Sequence, residues 1–251
     1  MTVTAPRRRI VTNVALALGC ALLGGAAGWY WQSHRGPVSA VTPPDRAVIE
    51  RVVHDYLMAH PEVLPQAMAE LDRRQSASQL AGMREQVEKP APGVILGNPA
   101  GKVTLVVFTD YACTYCRQSR QDVEALIAAN PDLKVVVREL PILSPQSADA
   151  ARMALAAAEQ GRYAAFHEAM FAAGRPDAAS IAAAARAAGL DLARARQTAA
   201  SPGVERELVQ NLDLAKRLGF SGTPSWVVGE TLLTGAVGRD RLAEAIADAR
   251  S

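Results

Sequence analysis

The stretch from Lys102 to Arg120 constrains this chain most. Val103 to Phe108 is a buried-looking run of strand length, apolar except for Thr104, the turn Thr109-Asp110-Tyr111-Ala112 follows, and Cys113 and Cys116 open a helical pattern that runs to Asn130. Leu133 to Arg138 is the next strand, closed by Glu139-Leu140-Pro141. Strand, helix, strand in that order predicts a parallel pair with a right-handed crossover. It puts the cysteines at the carboxyl end of the first strand, where open α/β sheets carry their chemistry.

The spacing of the cysteines has a chemical reading. On a first helical turn residues i and i+3 share a face, so both sulfurs reach bonding distance with little backbone movement. Cys113 falls where unpaired N–H groups and the positive end of the helix stabilise a thiolate. A thiol of lowered pKa is both a nucleophile and a good leaving group. Cys113 is thus the expected nucleophile, exposed at the helix tip, and Cys116 the resolving thiol, with Arg117 and Arg120 adding positive potential. Two rival readings are an inert structural disulfide and half of a zinc or iron-sulfur site. A metal needs further ligands, there is no second CxxC, and His34, His54, His60 and His167 show no ligand spacing. No metal site and no cofactor is expected.

The chain has 251 residues, room for one sizeable domain with extensions. With 27 basic and 25 acidic residues its net charge is +2, too balanced to imply a nucleic-acid partner. Arg7, Arg8 and Arg9 (segment 1–9) precede an apolar run over residues 10–31, long enough for a bilayer, which takes about 20 helical residues. The expectation is a transmembrane signal-anchor with a cytoplasmic N-terminus and Trp29-Tyr30-Trp31 at its outer edge. The rival is a cleaved signal peptide, since small residues crowd Gly24 to Gly28. Cys20 follows Ala17-Leu18-Gly19, a poor lipidation pattern, so the exported part holds only the Cys113/Cys116 pair. The expected location is the bacterial inner membrane with the catalytic domain in the periplasm, or the periplasm alone after cleavage.

Residues 32–44 are a Ser/Gly/Pro linker, and 45–88 a helical arm. Asp45 caps a first helix with Ile49, Val52, Val53, Tyr56 and Leu57 at helical spacing, and His60-Pro61 interrupts it. A second helix is expected with Pro61 and Glu62 in its first turn and Leu64, Met68 and Leu71 along one side, where Pro65 fits poorly. Leu80, Met83 and Val87 form a stripe too narrow to be a core alone. The arm is either a spacer or a homo-oligomerisation element. Residues 94–143 and 220–250 read as the sheet domain, and 144–219 as an inserted helical domain of five short helices, with Tyr163, Phe166 and Phe171 in its core. After Phe220-Ser221-Gly222, the pair Thr223-Pro224 precedes a strand, Ser225 to Val228. A cis proline there would present the Thr223 backbone to the sulfurs and to a bound peptide.

Phe108-Thr109-Asp110-Tyr111-Ala112-Cys113-Thr114-Tyr115-Cys116-Arg117 resembles the Phe-x-Asp-Tyr-x-Cys-x-Tyr-Cys-Lys/Arg signature of the DsbA-like thiol-disulfide oxidoreductases of the thioredoxin superfamily, and Gly222-Thr223-Pro224-Ser225 matches their glycine-threonine-cis-proline element. The likeness covers about residues 94–250. The segment Val53 to Gln75, with Asp55-Tyr56-Leu57 and His60-Pro61-Glu62-Val63-Leu64, resembles the arm of the ScsC-like (suppressor of copper sensitivity) branch, some of whose members trimerise and shuffle disulfides. The resemblance implies an α/β thioredoxin-like fold with an inserted helical domain, preceded here by a membrane-anchor helix and a helical arm. It implies catalysis by Cys113, Cys116, Thr223 and Pro224. One departure stands out: where DsbA relatives often place a proton-handling glutamate six residues before the first cysteine, this chain has Val107.

The implied reaction is thiol-disulfide exchange through a mixed disulfide at Cys113 on unfolded or misoxidised exported proteins. As an oxidase, the slightly favoured direction, the protein would be recharged by a DsbB-like membrane partner; as an isomerase or reductase it would be kept reduced by a DsbD-like one. Two other classes stand against these: a metal (copper) handling module on the same scaffold, and a structural envelope protein indifferent to loss of both cysteines.

Overall fold

The computed structural model describes residues 29–30 and 43–250. One finding corrects the anchor expected over residues 10–31. Among the described residues no helix is long and apolar enough to cross a membrane. Of the stretch itself only Trp29 and Tyr30 are described, so the basic segment 1–9, the remainder of 10–31 and nearly all of the linker 32–44 lie outside the described residues. The transmembrane and signal-anchor assignments and the inner-membrane placement fall with the anchor, and the fold is an α/β fold with helical insertions.

The chain divides into two compact units, residues 1–65 and 66–251. The first contains helix α1 (Pro43–Ala59) and the start of α2 (Val63–Leu80). The His60 N–H donates to the Tyr56 carbonyl, and the Val63 N–H to that of His60, so the chain turns at Pro61 and the helix restarts two residues later than expected. Pro65 then falls in a first turn, where its missing N–H would have had no helical partner. Val48, Ile49, Val52, Val53 and Tyr56 of α1 are each at least half exposed.

In the second unit α2 ends at Leu80, turns at Gly82 and continues as α3 (Arg84–Glu88). Then come β1 (Ile95–Gly97), β2 (Val103–Thr109), α4 (Thr114–Ala129) and β3 (Leu133–Glu139). Helices α5 (Pro145–Glu159), α6 (Tyr163–Ala172), α7 (Ala178–Ala187), α8 (Leu192–Ala199) and α9 (Pro202–Arg217) follow, and β4 (Ser225–Val228), β5 (Thr231–Thr234) and α10 (Arg239–Asp248) close the unit. The sheet order is β1-β3-β2-β4-β5. Only β2 and β3 run parallel, in register from Val103 opposite Leu133 to Thr109 opposite Glu139; β4 lies antiparallel on the other side of β2, with Phe108 opposite Ser225.

Period-two alternation sorts the strands onto two cores. Leu105, Val107, Leu133, Val135, Val137 and Trp226 face α4, α10 and the inserted helices. Val106, Phe108, Val136 and Val227 face the other way, onto Leu80, Met83 and Val87 from the end of the arm and Leu214, Ala215 and Leu218 of α9. The narrow stripe of the arm therefore finds its core in its own unit. Alanines let α5 pack closely: Ala150, Ala151, Ala154, Ala156 and Ala157 are essentially inaccessible. A Cβ on Gly93 would come within 2.8 Å of the Ala158 carbonyl oxygen.

Candidate active site

Three chain segments meet at the carboxyl end of β2: the turn into α4, the loop after β3 and the loop before β4. Asp110 fastens the first to the second. One of its carboxylate oxygens accepts from the Ala112 N–H at 2.8 Å, and the other from the N–H groups of Ile142 and Leu143, each at 2.9 Å. This carboxylate is held by three backbone N–H groups.

Cys113 is the N-cap of α4. Its sulfur accepts from the Cys116 N–H at 3.3 Å, and its thiol donates to the Thr223 carbonyl at 3.2 Å. The Thr223-Pro224 peptide is cis, as the sequence suggested. Both cysteines are free thiols. Cys113 is only 5% accessible, more enclosed than a helix-tip position suggests, because the Thr223-Pro224 loop lies over it. The Cys116 side chain is the largest cause of a lowered Cys113 pKa. Thr223 and the N–H groups of Cys116 and Tyr115 add to it, and against the opposition of burial they bring it from 9.0 to about 5. Burial pushes the Cys116 thiol far above the ordinary cysteine value, and the neighbouring Cys113 raises it further. One sulfur is thus a nucleophile at neutral pH and the other stays protonated until the reaction calls on it.

The two arginines take other partners. Arg117 Nε donates to the Phe171 carbonyl at 3.1 Å, and Arg120 pairs with Glu124 and Glu168. Tyr115, between the cysteines, is 62% exposed. A cavity of about 350 Å³ beside Cys116 is lined by Val107, Thr109, Phe171, Pro224 and Trp226 and by the polar side chains of Arg120, Glu124, His167 and Glu168. The structure therefore brings Cys113, Cys116, Thr223 and Pro224 together. Val107 lines the cavity with an apolar side chain.

A second polar group lies under the site. Glu139 Oε1 accepts from the Tyr111 hydroxyl at 2.9 Å and the Tyr163 hydroxyl at 2.8 Å; both hydroxyls also meet His167 Nδ1, at 3.0 and 3.3 Å. Burial raises the Glu139 pKa to about 8, with Asp110 contributing, and burial lowers that of His167 to about 3, helped by Arg120. Of the aromatics assigned to the core, Tyr163, Phe166 and Phe171 are all core, and the Tyr163 hydroxyl is in addition hydrogen-bonded to Glu139 and His167. Glu139 was legible in principle: Leu133, Val135 and Val137 alternate inward, which makes the next odd residue a carboxylate on the core face.

Comparison with known proteins bears on both parts of the chain. Residues 104–247, more than half of it, match the DSBA-like thioredoxin domain, and residues 45–77 match the copper resistance protein ScsC N-terminal domain. A thioredoxin-like oxidoreductase from Silicibacter pomeroyi superimposes with a TM-score of 0.64 at 40% identity, over 66% of this chain and 97% of its own. A linker-deletion variant of Proteus mirabilis ScsC does so at 0.64 and 26% identity, over 85% of this chain and 98% of its own. A Salinispora tropica protein named Na(+)/H(+) antiporter NhaA 3 is 32% identical over 139 residues, but this chain spans only 21% of its length. With a cysteine pair of split acidity on a matching fold, the chain belongs to the DSBA-like thioredoxin domain family and is a DsbA/ScsC-like thiol-disulfide oxidoreductase with a ScsC-like N-terminal arm.

Proposed function

We propose that this oxidoreductase works chiefly as an oxidant of protein thiols in the periplasm, the compartment named for a Salmonella relative of 28% identity. The observation that carries this direction is the Cys113 thiolate, held at about 5. A stabilised thiolate favours the reduced protein, and a protein that prefers to be reduced gives its disulfide away. A substrate thiolate attacks Cys113 Sγ, the Cys113–Cys116 bond breaks with Cys116 leaving, and a second substrate thiol resolves the mixed disulfide. The substrate gains a disulfide and the protein becomes a dithiol. Thr223, through its carbonyl, and Pro224, beside the cavity, would hold the substrate backbone against Cys113, so clients are unfolded or misoxidised exported chains selected by extended backbone. A DsbB-like membrane protein would restore the disulfide.

The exposed apolar side of α1 favours a second reading, in which copies associate through the arm and the protein, kept reduced by a DsbD-like partner, isomerises disulfides. The equilibrium potential of the pair against glutathione separates the two. A value near about −120 mV, that of a strong oxidant, supports the oxidase, and one below about −180 mV, the isomerase range, overturns it.

A further inference from the structure

We infer that Glu139, reached through His167 and the hydroxyls of Tyr111 and Tyr163, is the proton acceptor and donor for Cys116. Thiol-disulfide exchange requires one, since Cys116 must lose its proton to attack Cys113 and regain it on leaving. Of the acidic groups near the pair, Asp110 is committed to three backbone N–H groups, and Glu124 and Glu168, which line the same cavity as Cys116, are both paired with Arg120. His167 and Cys116 line the same cavity, which at about 350 Å³ has room for water.

The hydrogen-bond inventory fixes the direction of the chain. Each tyrosine has one hydroxyl proton, and with Glu139 ionised both go to Oε1. His167 Nδ1 must then be the donor to the tyrosine oxygens, which leaves Nε2 with its lone pair and, among the described residues, no hydrogen-bond partner. In the resolving step the Cys116 proton passes through cavity water to Nε2, Nδ1–H passes to a tyrosine oxygen, and that tyrosine's proton passes to Glu139. The Cys116 thiolate attacks Cys113 Sγ, the Cys113–Cys116 bond forms, and the substrate sulfur leaves with the electron pair. Reversed, the same path protonates Cys116 when a substrate thiolate opens the disulfide. The groups facing Glu139 are Tyr111, Tyr163 and Asp110; Arg120, between Glu124 and Glu168, faces His167. A carboxyl that titrates near 8 carries and releases a proton at neutral pH, and an imidazole that resists charging passes protons without storing them.

The relay rests on mixed-disulfide chemistry at Cys113, so the test begins by making that adduct with oxidised glutathione. Its resolution to the Cys113–Cys116 disulfide is followed from pH 5.5 to 9 in the wild type, in Glu139→Gln and, as a control, in Cys116→Ala. The wild-type rate should climb to an inflection near 8. Glu139→Gln should be at least about tenfold slower at pH 7, within the range of general-base losses, and track hydroxide without inflection. A glutathione adduct that does not persist in Cys116→Ala overturns the exchange reading and the relay with it. Persistence there together with a wild-type profile in Glu139→Gln overturns the relay alone. The wild type supplies a measurement that needs no variant: resolution about twofold or more slower in D2O supports protons in flight, and equal rates overturn the relay.

Discussion

The two sulfurs differ because one stands at a helix start, beside the Cys116 thiol, the Thr223 side chain and the N–H groups of Cys116 and Tyr115, while the other is buried a turn deeper. A pH titration of thiolate absorbance, or of the rate of Cys113 alkylation, should have its midpoint near 5. Cys116→Ala should raise that midpoint, since the Cys116 side chain is the largest cause of the shift, and a midpoint unmoved from wild type would show that the helix start alone sets it. Two buried groups beneath the pair leave a signature in stability. The folded Glu139 keeps a proton that the unfolded chain releases above 4.5, so stability falls as pH rises from 4.5 to about 8. The folded His167 resists a proton that the unfolded chain takes below 6.5, so stability falls as pH drops from 6.5 to about 3. Between 4.5 and 6.5 the two oppose each other, and above 6.5 Glu139 acts alone. In the disulfide form, where Cys113 does not titrate, urea denaturation should show a loss of about 2 kcal/mol from pH 6.5 to 8, at roughly 1.4 kcal/mol per unit. Glu139→Gln should lack that loss, and parallel curves for the two proteins would refute the assignment. At this scale the cysteines, Thr223 and Pro224 were legible because spacing and turn chemistry are local. The His167 and Tyr163 contribution was not, because α6 reaches Glu139 only through the fold.

Several of the inserted helices carry their start signals in their own sequence. Ser144, Asp177, Asp191 and Ser201 cap α5, α7, α8 and α9, each side chain accepting from an N–H of the following turn, and Pro145 and Pro202 take the first helical position of α5 and α9. The end of the arm was harder. Leu80, Met83 and Val87 pack on residues of α9 far along the chain, a match that no window of the sequence contains. Arg138 secures this join. It is 1% exposed and points away from the Glu139 face, donating to the carbonyls of Gln86, Val87 and Lys89 at the end of α3 and to Glu207 and Asn211 of α9. Arg138→Ala strips partners from three carbonyls and a carboxylate at once. Breaking a buried charge pair costs about 3–5 kcal/mol, and a loss of that order is expected in chemical denaturation. Hydrogen exchange should show the amides of residues 84–89 opening well before the sheet. A loss under about 1 kcal/mol would mean that apolar packing alone holds α3.

For the whole molecule, the boundary at residue 65 decides how the arm can be tested. Removing residues 45–88 would take Leu80, Met83 and Val87 out of a core, so any change in size would be confounded by unfolding. The informative changes lie in α1, where Ile49, Val52, Val53 and Tyr56 recur at helical spacing and stay at least half exposed. An apolar stripe of that kind is stable in water when another helix covers it, and a seam with three- and four-residue steps is what copies of one helix use to pack together. The double substitution Val52→Glu/Tyr56→Glu places like charges in the seam and leaves the sequence of the second unit unchanged. Light scattering of the chain from residue 43 onward should give an oligomer, and the double variant a monomer. Its Cys113 titration should be unchanged, because every group that sets it lies in the second unit. An identical subunit number in both proteins would leave the arm as a spacer and remove the structural support for the isomerase reading. A shift to monomer with loss of disulfide shuffling, and with thiol oxidation retained, would mean that shuffling needs several active sites on one substrate while oxidation needs one.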